Sequence, residues 1–245
     1  MLKEERHTTI LNEIRIHNRV LLTDLSNLLQ VSEDTVRRDL KELDHKGQIK
    51  KVHGGAISTG YHSHNQIYAH DKKVVIAQKA IKLLKSGQNV LITGGTTNYE
   101  LARLIPSKLK ITFITPSLST ASQLLSHKHI EVIFLGGRLS HEGQIALGGS
   151  VVNSLSEIRA DLCFLGTGYL DTVNGLTEFD WEVVQIKKAM IKSSDHVVSL
   201  AISEKLNSSQ RYKVCDMDSI NTMITELNPD DHILDSYRKN GIKIL

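Results

Sequence analysis

The sequence is poor in cysteine, and Cys163 and Cys215 are its two thiols. They stand far apart and form no CxxC pair, the spacing typical of a redox motif. Structural disulfides belong mainly to oxidising compartments and to cysteine-rich secreted domains. We therefore expect two ordinary core thiols in a reducing compartment.

Long apolar runs are also missing. The first residues, "MLKEERHTTILNEI", mix charged and apolar side chains and contain no continuous apolar segment of the kind found in signal peptides. No later run approaches the roughly 18 apolar residues that a membrane-spanning helix needs. The sequence predicts a soluble, cytoplasmic protein with no membrane partner.

The chain carries little net charge. Its 30 Lys and Arg residues against 27 Asp and Glu residues give a formal net charge of +3, too small to argue for nucleic-acid binding by bulk charge. The 245 residues, 40% of them hydrophobic, are enough for two folded domains with a buried core. The positions of the charges must therefore indicate any nucleic-acid partner.

The N-terminal segment has helical periodicity. Residues 4–17 predict a first helix, and "TDLSNLLQ" (23–30) predicts a second one that begins with Thr23 as its N-cap. The residues of this second helix expected to face the core are Leu25, Leu28 and Leu29.

A third helix is predicted after a short turn at Val31 and Ser32, with Ser32 as its N-cap. Val36, Leu40 and Leu43 recur at i, i+4 and i+7 and should face the core, so that the neighbouring Arg38 points outward. Helix, tight turn and helix with a polar outer face is the helix-turn-helix arrangement, whose second helix enters the major groove of DNA.

The following segment, "KGQIKKVHGGAI", predicts a basic hairpin. Gly47 can end the third helix, and short strands are expected on either side of a turn at Gly54 and Gly55. Such a hairpin is a wing, and its residues expected to meet DNA phosphates are Lys50, Lys51 and His53. The alternative is that Arg37 and Arg38 are solvated helix residues paired with acidic neighbours, because charge runs usually mark exposed faces.

Three stretches carry a specific resemblance: "ERHTTILNEI", "VSEDTVRRDLKELDHKG" and "KKVHGGA". Over about residues 3–58 they closely resemble the winged head of the DeoR family of bacterial transcription regulators. The resemblance implies that the base and phosphate contacts of the head are Ser32, Thr35, Arg37, Arg38 and Lys41. Asp39 is expected to orient an arginine, because a carboxylate facing phosphates would be repelled.

The chain changes character after the head. We predict a winged helix-turn-helix domain over 1–58, a linker over 59–70 and an open, mostly parallel α/β domain over 71–245, since apolar strands there alternate with helices. The linker histidines are His62, His64 and His70. No cysteine or carboxylate joins them at ligand spacing, so we expect no metal site and no cofactor.

Three glycine turns follow predicted strands: "TGGTT" (93–97), "LGGR" (135–138) and "LGTG" (165–168). Ligands of open parallel sheets bind outside the carboxyl ends of the strands, where such turns and a helix start favour an anion. None of the turns is GxGxxG or GxxxxGK[ST], so neither a dinucleotide nor ATP is indicated. The alternative is that the glycines only make tight strand-to-helix turns.

Residues 72–245 resemble the C-terminal sensor domain of the same family, which is similar in fold to ribose-5-phosphate isomerases and CoA transferases and typically senses phosphorylated sugars. The turns and this resemblance together give the predicted effector contacts. They are Thr93, Gly94, Gly95, Thr96, Thr97, Gly136, Gly137, Arg138, Glu182, Lys187 and Lys205.

The chain departs from the family pattern at four places. The family usually has Asp at the positions of Thr93 and Gly168, Asn at that of Pro116, and Asp-Ser-Ser-Lys where this chain reads Ile-Ser-Glu-Lys (202–205). We therefore expect an anionic effector with fewer or differently placed hydroxyls, or else a pocket that senses nothing. The losses also argue against catalysis, which needs a positioned carboxylate base.

Together these features predict a ligand-responsive repressor of a carbohydrate-metabolism operon. It would bind a palindromic or repeated operator as a homodimer or homotetramer and have no catalytic residues. Two alternatives stay open: a sugar-phosphate isomerase or transferase with a DNA-binding head, and a DNA-binding protein whose large domain only dimerises.

Overall fold

The computed structural model describes residues 1–17, 19–58, 67–141 and 143–245. The chain divides into two compact units, Met1–His70 and Asp71–Leu245. Most of the predicted linker, with His62 and His64, lies outside the described residues.

In the N-terminal unit the described residues form three helices and a small antiparallel sheet in the order β1-β3-β2. Its helices are α1 (Lys3–His17), α2 (Leu22–Leu29) and α3 (Glu33–His45), and its strands are β1 (Arg19–Leu21), β2 (Ile49–Val52) and β3 (Gly55–Ser58). The hairpin of β2 and β3 is the predicted wing, and Gly47, at a φ of +67°, follows the end of α3.

The core of this unit forms where the periodicity of α3 placed it: Val36, Leu40 and Leu43 are buried. In α2 the prediction for Leu28 was wrong, since that side chain is 53% exposed while Leu25 and Leu29 are buried. Leu28 lies about 100° around the helix from Leu29, outside the narrow stripe that so small a core covers.

The start of α2 also differs from the prediction. The helix begins at Leu22 directly after β1, and its N-cap is Leu21, which makes no side-chain capping bond, so that Thr23 lies inside the first turn. The backbone N–H of Leu22 instead donates to the carbonyl of Gly54 at 2.8 Å. The wing turn thus satisfies a helix-start donor that a capping side chain would otherwise bind.

The C-terminal unit is built on a seven-stranded sheet in the order β15-β14-β12-β9-β4-β5-β6, parallel throughout. Its strands are β4 (Asn89–Ile92), β5 (Thr112–Thr115), β6 (Glu131–Phe134), β9 (Leu162–Gly166), β12 (Val197–Leu200), β14 (Thr222–Ile224) and β15 (Lys243–Ile244). The main helices are α4 (His70–Ile81), α5 (Thr96–Arg103), α6 (Leu118–Leu124), α7 (Gly149–Ser156), α8 (Trp181–Lys192) and α9 (Asp235–Lys239).

The central strands of this sheet are buried, with β12 and β14 buried along their whole length. This agrees with the predicted α/β domain. Helix α4 ends at Ile81. The backbone N–H groups of residues 82–84 donate to the carbonyls three residues earlier and not four, so the chain after α4 turns more tightly than an α-helix.

Two smaller strand groups were not predicted. The hairpin of β7 (Arg138–Leu139) and β8 (Ala146–Leu147) follows the edge strand β6, and β10 (Tyr169–Asp171), β11 (Gly175–Glu178) and β13 (Tyr212–Cys215) form an antiparallel sheet. Strand β11 ends just before α8, so it carries the "GLTE" segment to the sheet edge where the glycine turns lie.

Both cysteines are free, as the sequence predicts. Burial raises the pKa of the Cys163 thiol to about 12. Burial also raises the pKa of Cys215 to about 11, so neither thiol is activated as a thiolate near neutral pH. None of the helices that the structure describes is long and apolar enough to cross a membrane.

Candidate DNA-binding surface and effector site

The outer face of α3 carries the predicted DNA contacts. Arg37, Arg38 and Lys41 are exposed, and Thr35 is half-buried. Ser32 caps the helix as predicted: its Oγ accepts from the Thr35 backbone N–H at 3.3 Å and lies 3.0 Å from the Thr35 hydroxyl. The cap fixes the start of the helix and places both hydroxyls at its positive end.

Arg37 and Arg38 differ in their surroundings. The Arg37 guanidinium is ion-paired with Asp34 and lies 4.0 Å from Glu33. The Arg38 guanidinium makes no ion pair or hydrogen bond with any residue that the structure describes. The alternative of a solvated, locally paired arginine therefore describes Arg37 and does not describe Arg38.

Asp39 holds α3 against α1. Asp39 is 2% exposed. Its carboxylate accepts hydrogen bonds from Arg6 Nε at 2.7 Å and from Arg6 Nη2 at 3.1 Å, and His7 Nε2 lies 3.2 Å from Asp39 Oδ1. The hydrogen bonds to Asp39 raise the pKa of the Arg6 guanidinium. Asp39 thus orients an arginine, as expected, but one from the first helix. Sequence reasoning missed Arg6 and His7, although "ERH" was part of the resemblance.

The wing presents Lys50, Lys51 and His53 to solvent. The backbone N–H of Lys51 donates to Asp44 Oδ1 at 2.8 Å, which ties the wing to the last turn of α3. The structure therefore fixes the wing relative to the exposed helix face that bears the arginines.

The candidate effector site lies at the carboxyl edge of the large sheet. Strands β12, β9 and β4 are neighbours, so the loops that follow them, 201–205, 166–168 and 93–97, come together. Thr93 joins two of these loops: its buried Oγ1 accepts from the Gly166 N–H at 2.7 Å and from Asn98 Nδ2 at 2.8 Å. The Thr93 hydroxyl is therefore engaged within the protein.

The start of α5 supplies uncommitted donors. Gly95, at a φ of +105°, turns the chain into the helix, and the N–H groups and hydroxyls of Thr96 and Thr97 bond no described residue. Behind them the fully buried Asn98 Oδ1 also has no described partner. Free N–H groups at a helix start bind anions well.

Two lysines converge on the loop after β9. Lys187 Nζ donates to the Gly166 carbonyl at 2.7 Å and is ion-paired with Glu178, and Lys205 Nζ donates to the Thr167 carbonyl at 2.8 Å. Burial lowers the pKa of Lys205 to about 8. Sequence reasoning had not included Glu178 in the site.

More charge lies beside Lys205. Glu204 accepts from Lys72 Nζ at 2.6 Å, and the same ammonium lies 3.2 Å from Glu226, so one lysine is shared between two carboxylates. Lys73 is buried nearby on α4, and burial together with the charge of Lys205 lowers the pKa of Lys73 to about 7. Lys205 and the start of α5 are thus the part of the site that favours an anion.

The remaining predicted residues follow the edge strand β6. Gly136 and Gly137 lead into the β7–β8 hairpin, where Arg138 pairs with Glu182 at the start of α8. A side chain at Gly137 would meet the Leu147 carbonyl at 2.8 Å, so this turn packs closely on the residues before α7. The structure brings Arg138 and Glu182 together as an exposed ion pair. Among the described residues it contains no group of three or more metal-binding side chains.

Comparisons with known families agree with this geometry. The DeoR-like helix-turn-helix domain matches residues 6–60, and the DeoR C terminal sensor domain matches residues 68–227. The chain belongs to the DeoR family. As a member with this head, it is a DNA-binding transcription regulator, as its sequence predicted.

Relatives in the family align along the whole chain. The HTH-type transcriptional repressor GlcR of Bacillus subtilis is 32% identical, with 100% of this chain and 96% of the relative covered. The glycerol-3-phosphate regulon repressor of Escherichia coli is 26% identical, with 100% and 99% covered.

A similar solved structure is that of ribose 5-phosphate isomerase A from Methanocaldococcus jannaschii, with 19% identity, a TM-score of 0.42 and coverage of 56% of this chain and 54% of the other. The chain spans about half the length of the solved structures that it matches. The family assignment rests on the sequence comparisons.

Proposed function

We propose that this regulator represses a carbohydrate-metabolism operon and that a phosphorylated sugar or a related small anion controls its affinity for DNA. The observation that carries the proposal lies at the carboxyl edge of the sheet: the free N–H groups at the start of α5 follow a loop that Thr93 ties to the loop held by Lys205. Relatives named as repressors, one of a glycerol-3-phosphate regulon, support the same reading.

On the DNA side, Arg38 reads a base edge in the major groove from the exposed face of α3. An arginine without a protein partner breaks no ion pair or hydrogen bond within the protein when it forms a bidentate contact with guanine. Ser32, Thr35, Arg37 and Lys41 contact phosphates or bases beside it. Lys50, Lys51 and His53 hold the wing on the backbone, which positions the helix without reading sequence.

On the effector side, the anion binds between the N–H groups of Gly95 to Thr97 and the ammonium of Lys205. A phosphate oxygen accepts several such donors at once, and the low-dielectric surroundings strengthen each contact. The effector shifts the DNA affinity by binding one arrangement of the two units better than the other.

The assembly is a homodimer or a homotetramer. A palindromic operator places two identical half-sites on one face of the duplex, and a second copy of the head must reach the second half-site. Mass photometry of the free protein and of the protein with operator DNA tests this, and a monomer on DNA would contradict it.

Sensing is favoured over catalysis. An isomerase needs a carboxylate base, and an ion pair with a lysine or arginine makes a carboxylate a poorer base. Among the described carboxylates near the site, Glu178 is paired with Lys187, Glu182 with Arg138 and Glu204 with Lys72.

The test is a thermal-unfolding screen of the full-length protein with sugar phosphates, phosphorylated sugar acids and the matched unphosphorylated sugars. A ligand at a hundred times its dissociation constant stabilises the folded state by about 2.7 kcal/mol. We expect stabilisation by phosphorylated compounds alone, without turnover. A flat response would contradict the effector part of the proposal, and turnover would indicate the enzyme.

A further inference from the structure

Glu178 occupies a special position at the effector site. It is the last residue of β11, its side chain is 9% exposed, and Oε1 pairs with the ammonium of Lys187. No described residue donates a hydrogen bond to its second oxygen, Oε2. This oxygen is not fully enclosed by the protein, so it is an acceptor that a ligand can reach.

The carboxylate lies directly in front of the loop after β9. A Cβ atom added to Gly168 would lie 2.8 Å from Glu178 Oε1 and 3.0 Å from Oε2. The absence of a side chain at position 168 therefore makes the space that the Glu178 carboxylate fills. The same loop holds Lys187 on the Gly166 carbonyl and Lys205 on the Thr167 carbonyl.

The charged residues around this loop, Glu178, Lys187 and Lys205, differ in whether their charge is paired. Glu178 neutralises Lys187, so the pair has no net charge, while Lys205 keeps an ammonium that no carboxylate contacts within hydrogen-bond distance among the described residues. A phosphate is attracted to Lys205 and to the start of α5. The free oxygen of Glu178 requires a donor, and a neutral hydroxyl suits it better than an ammonium, which would leave the charge of Lys187 uncompensated.

We propose that Glu178 is a specificity-determining residue of the effector pocket, and that Oε2 accepts a hydrogen bond from a hydroxyl of the ligand whose phosphate binds at Lys205 and α5. This inference rests on the proposed function, because it assumes that the pocket binds a phosphorylated effector.

The experiment compares matched phosphate esters by calorimetric titration of the full-length protein. Glycerol 3-phosphate and glucose 6-phosphate carry hydroxyls, propyl phosphate carries none, and inorganic phosphate reports the anion contact alone. At least one hydroxyl-bearing ester should bind about tenfold or more tightly than propyl phosphate, since its hydroxyl adds a hydrogen bond to a charged acceptor, which is stronger than one between neutral groups.

Two variants remove the acceptor in different ways. In G168A the added methyl group displaces the flexible end of Glu178 without changing any charge, and in E178L/K187M apolar side chains of similar size replace the buried pair, a change that often preserves stability. The control is G149A, because a Cβ atom at Gly149 meets nothing within 4 Å. In both acceptor variants the tenfold preference should fall to about twofold, while G149A keeps it.

The outcomes separate this inference from the proposed function. If phosphate esters bind and release DNA but the preference for hydroxyls is absent in the wild type, or persists in both acceptor variants, the role of Glu178 is wrong and the sensor remains. If no ester and no phosphate binds, both the sensor and the role of Glu178 are wrong.

Discussion

At the scale of single residues, Arg37 and Arg38 are neighbours with different surroundings. Arg37 is held by Asp34 on its own helix, whereas the guanidinium of Arg38 contacts no described side chain. An exposed ion pair contributes little to stability and can be exchanged for a phosphate at small cost. Arg38 is therefore the better candidate for reading bases, and Arg37 for a backbone contact.

The first prediction concerns Arg38. R38A should weaken binding to genomic DNA fragments selected by the wild-type protein by about 1–3 kcal/mol, because a bidentate base contact is lost. Fluorescence anisotropy at fixed salt measures the change. R159A is the matched control, since Arg159 is an exposed arginine of the C-terminal unit. Unchanged affinity of R38A would show that the helix faces away from the bases.

The second prediction concerns the pH dependence of effector binding. Burial lowers the pKa of Lys205 to about 8 from the ordinary value of 10.5, although Glu178 and Glu204 oppose the shift. Only the protonated ammonium attracts phosphate, so affinity for a phosphate ester should fall as pH rises above about 8, approaching tenfold per pH unit.

The lowered pKa of Lys205 also makes the stability of the folded protein depend on pH. Because the folded pKa of Lys205 lies below its unfolded value, the ligand-free protein gains stability as pH rises from about 8 towards 10.5.

Titration calorimetry with glucose 6-phosphate between about pH 7.5 and about pH 9.5 measures the predicted fall in effector affinity. K205R, which stays charged throughout, should bind with little pH dependence. An equal decline in K205R would place the titrating group elsewhere.

At the scale of elements, the winged head depends on one buried contact between helices. Asp39 on α3 accepts hydrogen bonds from Nε and Nη2 of Arg6 on α1, so the recognition helix is fixed by a forked ion pair as well as by its apolar face. Removing one partner of such a pair leaves an uncompensated buried charge, which is more harmful than removing both.

The third prediction follows from this contact. D39L should destabilise the N-terminal unit by about 3 kcal/mol and reduce DNA binding, while the double variant R6M/D39L should recover much of the loss. Thermal unfolding followed by circular dichroism measures the stability of both variants, and fluorescence anisotropy measures their DNA binding. If the double variant is as unstable as D39L, Asp39 acts through something other than Arg6.

The fourth prediction concerns the wing. Lys50 and Lys51 are exposed on β2, and each phosphate contact contributes about 0.9 to the slope of log affinity against log salt. K50M/K51M should therefore reduce the slope by about 1.8 and weaken binding to all DNA sequences alike. A slope equal to that of the wild type would mean that the wing does not touch the backbone.

Local sequence signals predicted which helices and strands form better than they predicted the residues at which these begin and end. The 3.6-residue periodicity of Val36, Leu40 and Leu43 and the cap at Ser32 were sufficient for α3, because each depends on nearby residues. Thr23 was the wrong cap since the donor at the start of α2 is satisfied by Gly54, which is distant in sequence. The hairpin of β7 and β8 is too short for a period of two to be recognised.

In the candidate effector site, too, some residues could be predicted from the sequence and others could not. The strand-end glycine turns and the lysines were predictable, because parallel strands bring their carboxyl ends to one edge. The partners of those lysines were not: Glu178 comes from an antiparallel strand outside the large sheet, and its place depends on Gly168 having no side chain.

At the scale of the whole molecule, a DNA-binding unit, Met1–His70, is joined to a sensor unit, Asp71–Leu245. Regulation requires that effector and DNA affect each other's binding. A coupling of about 1–3 kcal/mol, typical of allosteric proteins, changes affinity about 5-fold to 150-fold and must be the same in both directions.

The most direct test of this account is the affinity of the full-length protein for its selected DNA fragment, measured by anisotropy with and without a saturating phosphate ester that stabilises the protein. We predict that the ester changes the dissociation constant for DNA at least about fivefold, and that the unphosphorylated sugar does not. Equal DNA affinity in the presence of a bound ester would contradict the account and leave the large domain without a sensing role.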